Sequence, residues 1–258
     1  MPEGDTVWRT ARHLDEVLAG QTIRVWDLRV PRLATSDLRG ERVENVVSRG
    51  KHILHRIGEY TLHTHLKMEG SWHIYAAGAT WKRPAFQARA VVGTDAVTTV
   101  GFDLGVLELV PREAEDDMVG HLGPDLLSPD WDPAEAATRL TRDPAVPTAI
   151  ALLDQRNLAG LGNEYANELC FLRGVRPSTP VGETDAPAMV ALAHRVITAN
   201  RDRVRRTTTG DSRAGRESWV YGRAGKPCRR CGTLIQRGEL GRRETEERVI
   251  FWCPRCQR

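Results

Sequence analysis

The four cysteines near the C-terminus are the feature that most constrains how this chain can fold. They form two Cys-x-x-Cys pairs, Cys228 with Cys231 and Cys253 with Cys256, and 21 residues separate the pairs. Each pair can offer two thiolates to one metal ion, and the stretch between them is long enough for a β-hairpin. Four sulfur ligands favour one Zn²⁺ in a closed, structural site, because no coordination position is left for water. A redox pair is the weaker alternative.

Such a module buries little core, so we expect metal binding to supply much of its folding free energy. The fifth cysteine, Cys170, lies in an apolar stretch of helical pattern and is predicted to be a small core residue.

Charge is distributed unevenly along the chain. Residues 200–258 hold 16 lysines and arginines against 7 acidic residues, whereas the net charge of the whole chain is only +3. A basic third indicates a polyanionic partner, although a solvated arginine-rich surface is the alternative interpretation. No apolar run reaches the roughly 18–20 residues that cross a bilayer, and the first residues are acidic where a signal peptide is basic. We therefore expect a cytoplasmic protein that binds no membrane.

The hydrophobic periodicity changes along the first half of the chain. Residues 3–19 have the spacing of an amphipathic helix, Pro2 suits its first helical position, and Gly20 suits its end. From residue 21 to 110 the pattern becomes that of short strands divided by glycine-containing turns, at 42–47, 51–57 and 88–92. This predicts a two-layer β-sandwich with one N-terminal helix.

From about residue 111 the pattern is helical. Helices are predicted from Asp132-Pro133, over 146–155, over 163–172 and over 186–206, and residues 207–225 have the composition of a mobile loop. The expected fold is α+β and multidomain. Its parts are an N-terminal catalytic domain (1–120), a helical domain that includes the loop (121–225) and a zinc-finger hairpin (226–258).

A glycine-rich turn joins two of the predicted helices. It spans residues 155–163, and Asn163 is a residue type that prefers the N-cap of the second helix. Glycines let the backbone approach a ligand closely, and the amides of a helix start favour a phosphate. The alternative is a plain connection between two helices.

The N-terminus itself can act as a nucleophile. Pro2 is small enough that Met1 would normally be removed, which leaves a free secondary amine, and such amines attack aldehydes to give iminium ions. At a helix N-terminus the dipole disfavours the ammonium form of an amine whose ordinary pKa is about 7.7–8. Glu3 is placed to protonate a leaving group. Taken alone, a Pro-Glu start is also what an ordinary helix start looks like.

Further segments complete a pattern that covers the whole chain. They are Pro2-Glu3-Gly4, Ser48–His52 around Lys51, Leu158–Tyr165 at the glycine-rich turn, Val220–Arg223, and Arg248 five residues before Cys253. Together with the cysteine module they resemble the formamidopyrimidine-DNA glycosylase/endonuclease VIII family. The Pro2-Glu3-Gly4 start is similar to that of the endonuclease VIII branch, and Leu158–Tyr165 is similar to the signature of the helix–two-turn–helix motif.

This resemblance implies a bifunctional DNA glycosylase/AP lyase of base excision repair, acting as a monomer on damaged double-stranded DNA. The damaged base is swung out of the duplex, Pro2 attacks C1′ of its sugar, and Glu3 assists departure of the base. Successive β- and δ-elimination then cut the strand. Lys51 takes the role of the family's essential lysine, and Lys51, Asn163 and Arg248 hold phosphates.

The sequence departs from the family pattern at two places. Thr6 stands where the family commonly has glutamate, and the stretch 101–107 lacks the arginine of an Arg-x-Phe element that helps fill the space left by the flipped base. Met68, in the stretch 65–71, is retained as a void-filling methionine. Because of Gly4 and the missing arginine, the expected substrates are oxidised pyrimidines.

Other interpretations stay open at this stage. The main alternative is a non-catalytic zinc-ribbon DNA-binding protein on the same scaffold, which Thr6 favours, and another is an enzyme restricted to single-stranded or bubble DNA. Lys51 is also compatible with an exposed turn lysine. Arg248 is compatible with simple pairing to the acidic residues before it, Glu244, Glu246 and Glu247.

Overall fold

Helix α1, Gly4–Leu18, is the first element of the computed structural model, which describes residues 2–241, 243 and 246–258. Its buried apolar side chains, among them Val7, Leu14 and Leu18, recur on one face and join the core. The helix expected over 3–19 is confirmed, but the expected place of Pro2 is wrong. Glu3 has an extended backbone and caps the helix, so the first helical residue is Gly4. Met1 and Glu244, which entered the sequence predictions, lie outside the described residues.

Residues 2–121, all of which are described, form eight strands, which pair into two four-stranded antiparallel sheets. The first sheet has the order β1-β6-β7-β5 and the second β2-β3-β4-β8. The strands are β1 Val25–Leu28, β2 Val43–Arg49, β3 His52–Ile57, β4 Tyr60–His65, β5 Ser71–Ala76, β6 Ala88–Gly93, β7 Val97–Phe102 and β8 Val106–Pro111.

One hydrophobic core joins the two sheets and α1. Trp26 and Val92 come from the first sheet, whereas Val46, Ile53 and Leu62 come from the second. Because a sheet buries one face, residues two apart along these strands share the core, and the alternate residues face the other way. The predicted two-layer sandwich is confirmed. A short helix, α2 Glu115–Val119, follows the last strand.

The chain then becomes helical, as expected, with different bounds. The helices are α3 Pro133–Leu140, α4 Thr148–Leu153, α5 Asn163–Arg173 and α6 Ala186–Asn200. The Asp132 side chain caps α3 by accepting the amides of residues 134 and 135. Helix α4 is shorter than the predicted 146–155, because Pro147 disfavours a helical Val146 and Asp154 is extended.

Helix α6 ends six residues before the predicted Arg206. The buried Asn200 side chain donates to the Thr207 carbonyl and accepts the Thr207 amide, at 2.9 and 2.8 Å, which turns the chain. Residues 207–225 contain neither helix nor strand. Cys170 is fully buried in α5 as predicted, and burial raises the pKa of its thiol to about 12.

The C-terminal segment forms the expected hairpin of β9 Gln236–Leu240 and β10 Arg248–Trp252. The chain divides into two compact units, Met1–His121 and Leu122–Arg258. The second unit contains both the helices and the hairpin, and Ile250 of β10 packs with the apolar side chains of α4 to α6. The division into three domains stays a prediction. Within the described residues, no helix is long and apolar enough to span a membrane.

Candidate functional site

The N-terminal segment places Pro2 directly before a buried carboxyl group. Pro2 is half-buried, whereas the Glu3 side chain is fully buried. The Glu3 carbonyl accepts the amide of Val7 at 3.0 Å, which closes the first turn of α1. The nitrogen of Pro2 therefore lies near the positive end of the helix dipole, which favours a neutral amine over an ammonium.

Helix α1 runs antiparallel to β2, and this direction brings its first turn towards the β2–β3 turn. The amide of Gly20 donates to the Val43 carbonyl at 2.7 Å, and the amide of Val46 donates to the Asp15 carboxylate at 2.7 Å. From Asp15 back to Glu3 the helix covers about 18 Å, and from Val46 forward to the β2–β3 turn the strand covers about 17 Å. Glu3 and the β2–β3 turn therefore lie at about the same level of the sandwich.

Lys51 lies in that turn. Arg49 pairs with His52, so only Gly50 and Lys51 connect the two strands. Gly50 has φ +59°, a conformation that glycine adopts without strain. Lys51 is half-buried at the tip of the hairpin. Its predicted phosphate role stays a prediction, and the turn gives it a fixed backbone.

A second acidic side chain lies beside the position of the missing family glutamate. Asp5 is buried, and its carboxylate accepts the Thr6 amide at 2.8 Å and the Thr6 hydroxyl at 3.4 Å. Sequence reasoning singled out Thr6 and missed Asp5. The sequence did contain a signal for Asp5, because it stands next to Thr6 and an acidic residue in the first turn of a helix favours the helix start.

Met68 lies in an exposed turn between β4 and β5, with 61% of its surface accessible. Lys67 has φ +54°, and a Cβ on Gly70 would lie 2.4 Å from the Leu66 carbonyl oxygen, so the turn is tight. In the stretch 101–107, by contrast, Phe102 is fully buried. Of these two stretches, only the methionine turn therefore presents a large exposed apolar side chain.

Three histidines near the Lys51 turn were missed by the sequence analysis. His52 Nδ1 lies 2.7 Å from His63 Nε2, and His63 Nδ1 lies 3.0 Å from a Glu108 carboxylate oxygen. His52 also meets the His65 ring edge-on at 4.9 Å. Because residues 63 and 65 lie two apart, they share a face of β4, as the sequence alone could indicate. Their contact with His52 could not be predicted, because it depends on how the strands pair.

Burial and neighbouring charges keep two histidines of this cluster, His52 and His65, neutral. Burial, followed by the charges of His65 and His63, lowers the pKa of His52 to about 3. Burial, followed by the charges of Lys67 and Lys51, lowers the pKa of His65 to about 4. Lys51 and Lys67 therefore lie close enough to these rings to act on them.

In the second unit, the structure brings Asn163 and Arg248 into one neighbourhood. The predicted N-cap role of Asn163 is wrong, because Gly162 is the N-cap and Asn163 is the first helical residue. The Asn163 side chain instead donates to the carbonyl of Val249, next to Arg248, at 2.9 Å. Arg248 is exposed, and its guanidinium donates to the Glu247 carbonyl at 3.3 Å.

Neither Glu246 nor Glu247 forms an ion pair with Arg248, and Glu244 lies outside the described residues. Among the carboxylates that the structure describes, none therefore competes with a phosphate for this arginine.

The glycine-rich turn before α5 is held by one side chain. Gln155 accepts the Gly160 amide at 3.1 Å and donates to the carbonyls of Leu153 and Leu161 at 2.8 and 2.9 Å. Gly160 has φ +109°, which requires glycine. This turn sets the direction of the first amides of α5, which is what a phosphate site at this helix start needs.

The loop 207–225 is tied to α5 by a buried carboxylate. Glu168 is fully buried and accepts the amides of Trp219, Val220 and Tyr221, each at 2.8 Å. The Thr208 hydroxyl donates to the same group. The loop is therefore anchored at both ends, and its predicted mobility stays a prediction.

The four module cysteines converge on one point. Their sulfur atoms all lie within 4.8 Å of one another, with 4.0 Å between Cys228 and Cys256 and 3.4 Å between Cys231 and Cys253. A tetrahedral site with metal–sulfur bonds of about 2.3 Å requires sulfur separations of roughly 3.8 Å, so the cluster can hold one metal ion.

Comparisons with known proteins agree with this architecture. Residues 1–104 match the model of the formamidopyrimidine-DNA glycosylase N-terminal domain, and residues 122–212 match that of the formamidopyrimidine-DNA glycosylase H2TH domain. A solved structure of MutM in complex with carbocyclic 8-oxo-G containing DNA has the same fold, with a TM-score of 0.81, 23% identity and 100% coverage of both chains.

Two curated relatives are much more similar in sequence. The chain is 52% identical to the DNA-(apurinic or apyrimidinic site) lyase Nei2 of Mycolicibacterium smegmatis, over 100% of this chain and 99% of that one. It is 51% identical to endonuclease 8 2 of Mycobacterium tuberculosis, over the full length of both. These matches confirm the predicted family and fold class: the chain belongs to the formamidopyrimidine-DNA glycosylase family.

Proposed function

We propose that the protein is a bifunctional DNA glycosylase/AP lyase of base excision repair that uses Pro2 as its nucleophile. The observation that carries this proposal is the half-buried Pro2 directly before the fully buried Glu3, at the level of the Lys51 turn. The name of the lyase relative, at 52% identity over the whole chain, supports the same activity.

The reaction begins when the Pro2 nitrogen, freed by removal of Met1, bonds to C1′ of an extruded nucleotide. The glycosidic bond breaks, its electron pair leaves with the damaged base, and a proton from Glu3 neutralises the departing group. The Pro2 nitrogen then loses its proton, the ring oxygen takes up a proton and leaves C1′ as the 4′-hydroxyl, and the nitrogen lone pair forms the iminium. β-Elimination then expels the 3′ phosphate, and δ-elimination expels the 5′ phosphate.

Lys51, Asn163 and Arg248 hold the DNA backbone. These groups fix register and read no sequence. Exposed Met68 fills the space left by the flipped nucleotide. Double-stranded DNA as the substrate, a monomeric state and a cytoplasmic location are part of the proposal, and so is the single structural Zn²⁺ held by the four cysteines. Bound zinc would supply fixed geometry to the hairpin and no chemistry of its own, because four thiolates complete its coordination.

Oxidised pyrimidines are the proposed substrates. The support is Gly4 at the helix start and a stretch 101–107 that has no arginine and whose phenylalanine is buried. A panel of duplexes that carry single oxidised pyrimidines or oxidised purines, with the same lesions in single strands, tests this choice. Faster base release from pyrimidine duplexes is expected, and faster release from purine duplexes or from single strands would contradict it.

Changing Glu3→Gln tests the role of the buried carboxyl. Because the amide keeps the shape but cannot give up a proton, base release should fall at least a hundredfold. Cleavage of a preformed abasic site should fall much less, since no base has to leave. A control variant, Glu16→Gln on the exposed face of α1, should be unchanged in both assays. Equal losses in both assays for the Glu3 variant would remove the assignment.

A further inference from the structure

Three side chains on the outer face of the second sheet form a continuous hydrogen-bonded chain. Strand register places His52 opposite His65, and His63 opposite Glu108. His52 Nδ1 contacts His63 Nε2 at 2.7 Å, and His63 Nδ1 contacts Glu108 at 3.0 Å. At the far end, the Arg32 guanidinium lies 3.4 Å from the other Glu108 oxygen. The hydrogen-bonded chain thus runs from the Glu108–Arg32 pair to His52, the residue that follows Lys51.

The positions of the protons in this hydrogen-bonded chain follow from what each group can donate or accept. An ionised carboxylate only accepts hydrogen bonds, so Glu108 requires a proton on His63 Nδ1. When His63 is neutral, its Nε2 therefore carries a lone pair and accepts from His52 Nδ1. His52 Nε2 is then also unprotonated. Among the described residues none hydrogen-bonds to His52 Nε2, and His52 is only half-buried.

Burial and the charges around His52 decide where an added proton can stay. Burial, followed by the charges of His65, His63, His121 and Lys67, acts against a cation on His52 and lowers its pKa to about 3. The hydrogen-bonded chain lets the positive charge form on His63 instead of His52. A proton taken at His52 Nε2 releases the proton on Nδ1 to His63, and the imidazolium that forms on His63 faces the Glu108 carboxylate.

From this geometry we propose that His52, His63 and Glu108 are a proton relay for the strand-cutting steps, with His52 Nε2 as the proton acceptor. The inference rests on the proposed function. The inference requires the extruded nucleotide to lie at the end of β3, where His52 directly follows Lys51 and to whose level α1 brings Glu3 and Pro2 from the inner side of the sheet.

In this step the iminium between Pro2 and the sugar loses one proton to the relay. The C2′–H bond breaks, and its proton goes to His52 Nε2. The electron pair of that bond forms a C1′–C2′ double bond while the iminium π pair returns to the Pro2 nitrogen. The proton on His52 Nδ1 moves to His63 Nε2. The resulting enamine then expels the 3′ phosphate, which leaves with the electrons of the C3′–O bond, and His63 later returns its proton along the same path.

Two variants and a matched control test the relay. His63→Gln keeps a hydrogen-bonding side chain that cannot carry a proton, and Glu108→Gln removes the charge that stabilises the imidazolium. Glu115→Gln is the control, because Glu115 lies on the same sheet face and bonds to Arg56 and Thr61 at 2.5 and 2.8 Å, without a histidine. Single-turnover cleavage of duplex DNA with a preformed abasic site is measured between pH 5.5 and 8.5. Borohydride trapping, DNA affinity and thermal unfolding are measured on the same samples.

We expect both relay variants to cleave at least tenfold more slowly at pH 7, with trapping yield and affinity within twofold of wild type. The loss in rate should be present across the measured pH range in both variants. The control should match wild type in cleavage, trapping and affinity. Wild-type cleavage rates in both relay variants, or losses that only follow trapping, affinity or stability, would overturn the relay. A wild-type protein that neither traps nor cleaves would instead overturn the proposed function itself.

Discussion

His55 shows how a single buried side chain makes stability depend on pH. It lies on the inner face of β3, is fully buried, and packs against the Trp72 ring with 4.9 Å between centroids. Burial lowers its pKa from 6.5 to about 4. Since the unfolded chain binds this proton more readily than the folded one, the stability contributed by neutral His55 is complete above pH 6.5. It is lost as the pH falls towards 4.

Replacing His55→Leu should therefore flatten the acid side of the stability profile. At pH 7 the variant and wild type should differ little, whereas at pH 4 the variant should gain up to about 3 kcal/mol relative to wild type. Urea unfolding of both proteins at several pH values measures the difference in their free energies of unfolding. The contribution of the carboxylates cancels in this difference, because both proteins contain them. Parallel profiles for the two proteins would contradict this origin of the pH dependence.

Individual functional residues differed in how far the sequence could predict them. The cysteines and Pro2 were accessible because their meaning lies in local spacing or in chain position. His52, His63 and Glu108 were not, since 11 and 45 residues separate the successive members and only strand pairing joins them. Glu168 was missed for the same reason, because the amides that it accepts lie about 50 residues further along the chain.

At the scale of elements, two asparagines join α5 to β10. Asn163 donates to the Val249 carbonyl, and Asn167 accepts the Phe251 amide at 2.6 Å. The side chains lie one helical turn apart, and their partners lie two residues apart on one face of the strand. Sequence periodicity predicted both elements, but side chains set their ends. Asn200 ended α6 early, and Gly162 took the cap expected of Asn163.

The α5–β10 contact leads to a prediction about salt dependence. Arg248→Ala should weaken DNA binding and reduce the slope of log affinity against log salt by about 1, because one phosphate contact by a cation is lost. Asn163→Ala should weaken binding with an unchanged slope, because its side chain is neutral. Fluorescence titrations between 50 and 200 mM salt measure both. A smaller slope for the Asn163 variant would contradict a phosphate contact by a neutral side chain. An unchanged slope for the Arg248 variant would contradict a phosphate contact by this arginine.

At the scale of the whole molecule, the chain forms two units with different means of stabilisation. The first unit rests mainly on the core between two sheets and a helix, with a smaller apolar cluster around Phe102. In the second, a cluster that includes Phe171, Val220 and Ile235 also contains the cysteines of the module. The composition of the cysteine module anticipated a dependence on metal, but not that the module would share its apolar contacts with α5.

Removal of the metal should therefore affect the second unit. We expect one zinc ion per chain in the purified protein, and Cys253→Ser should release it, lower the unfolding temperature of that unit and weaken DNA binding. Elemental analysis and calorimetry check these outcomes, with Cys170→Ser as a control that alters a core thiol without metal loss. A metal-free Cys253 variant with unchanged stability and affinity would contradict a structural zinc site.

The most direct test of the central claim is the position of the covalent adduct after borohydride reduction on abasic-site DNA. The competing amines are the four lysines of the chain, at positions 51, 67, 82 and 226. Mass spectrometry of the digested adduct should place the reduced sugar on the nitrogen of Pro2. An adduct on a lysine, or DNA-bound and zinc-loaded protein that forms no adduct, would contradict catalysis by the N-terminal proline.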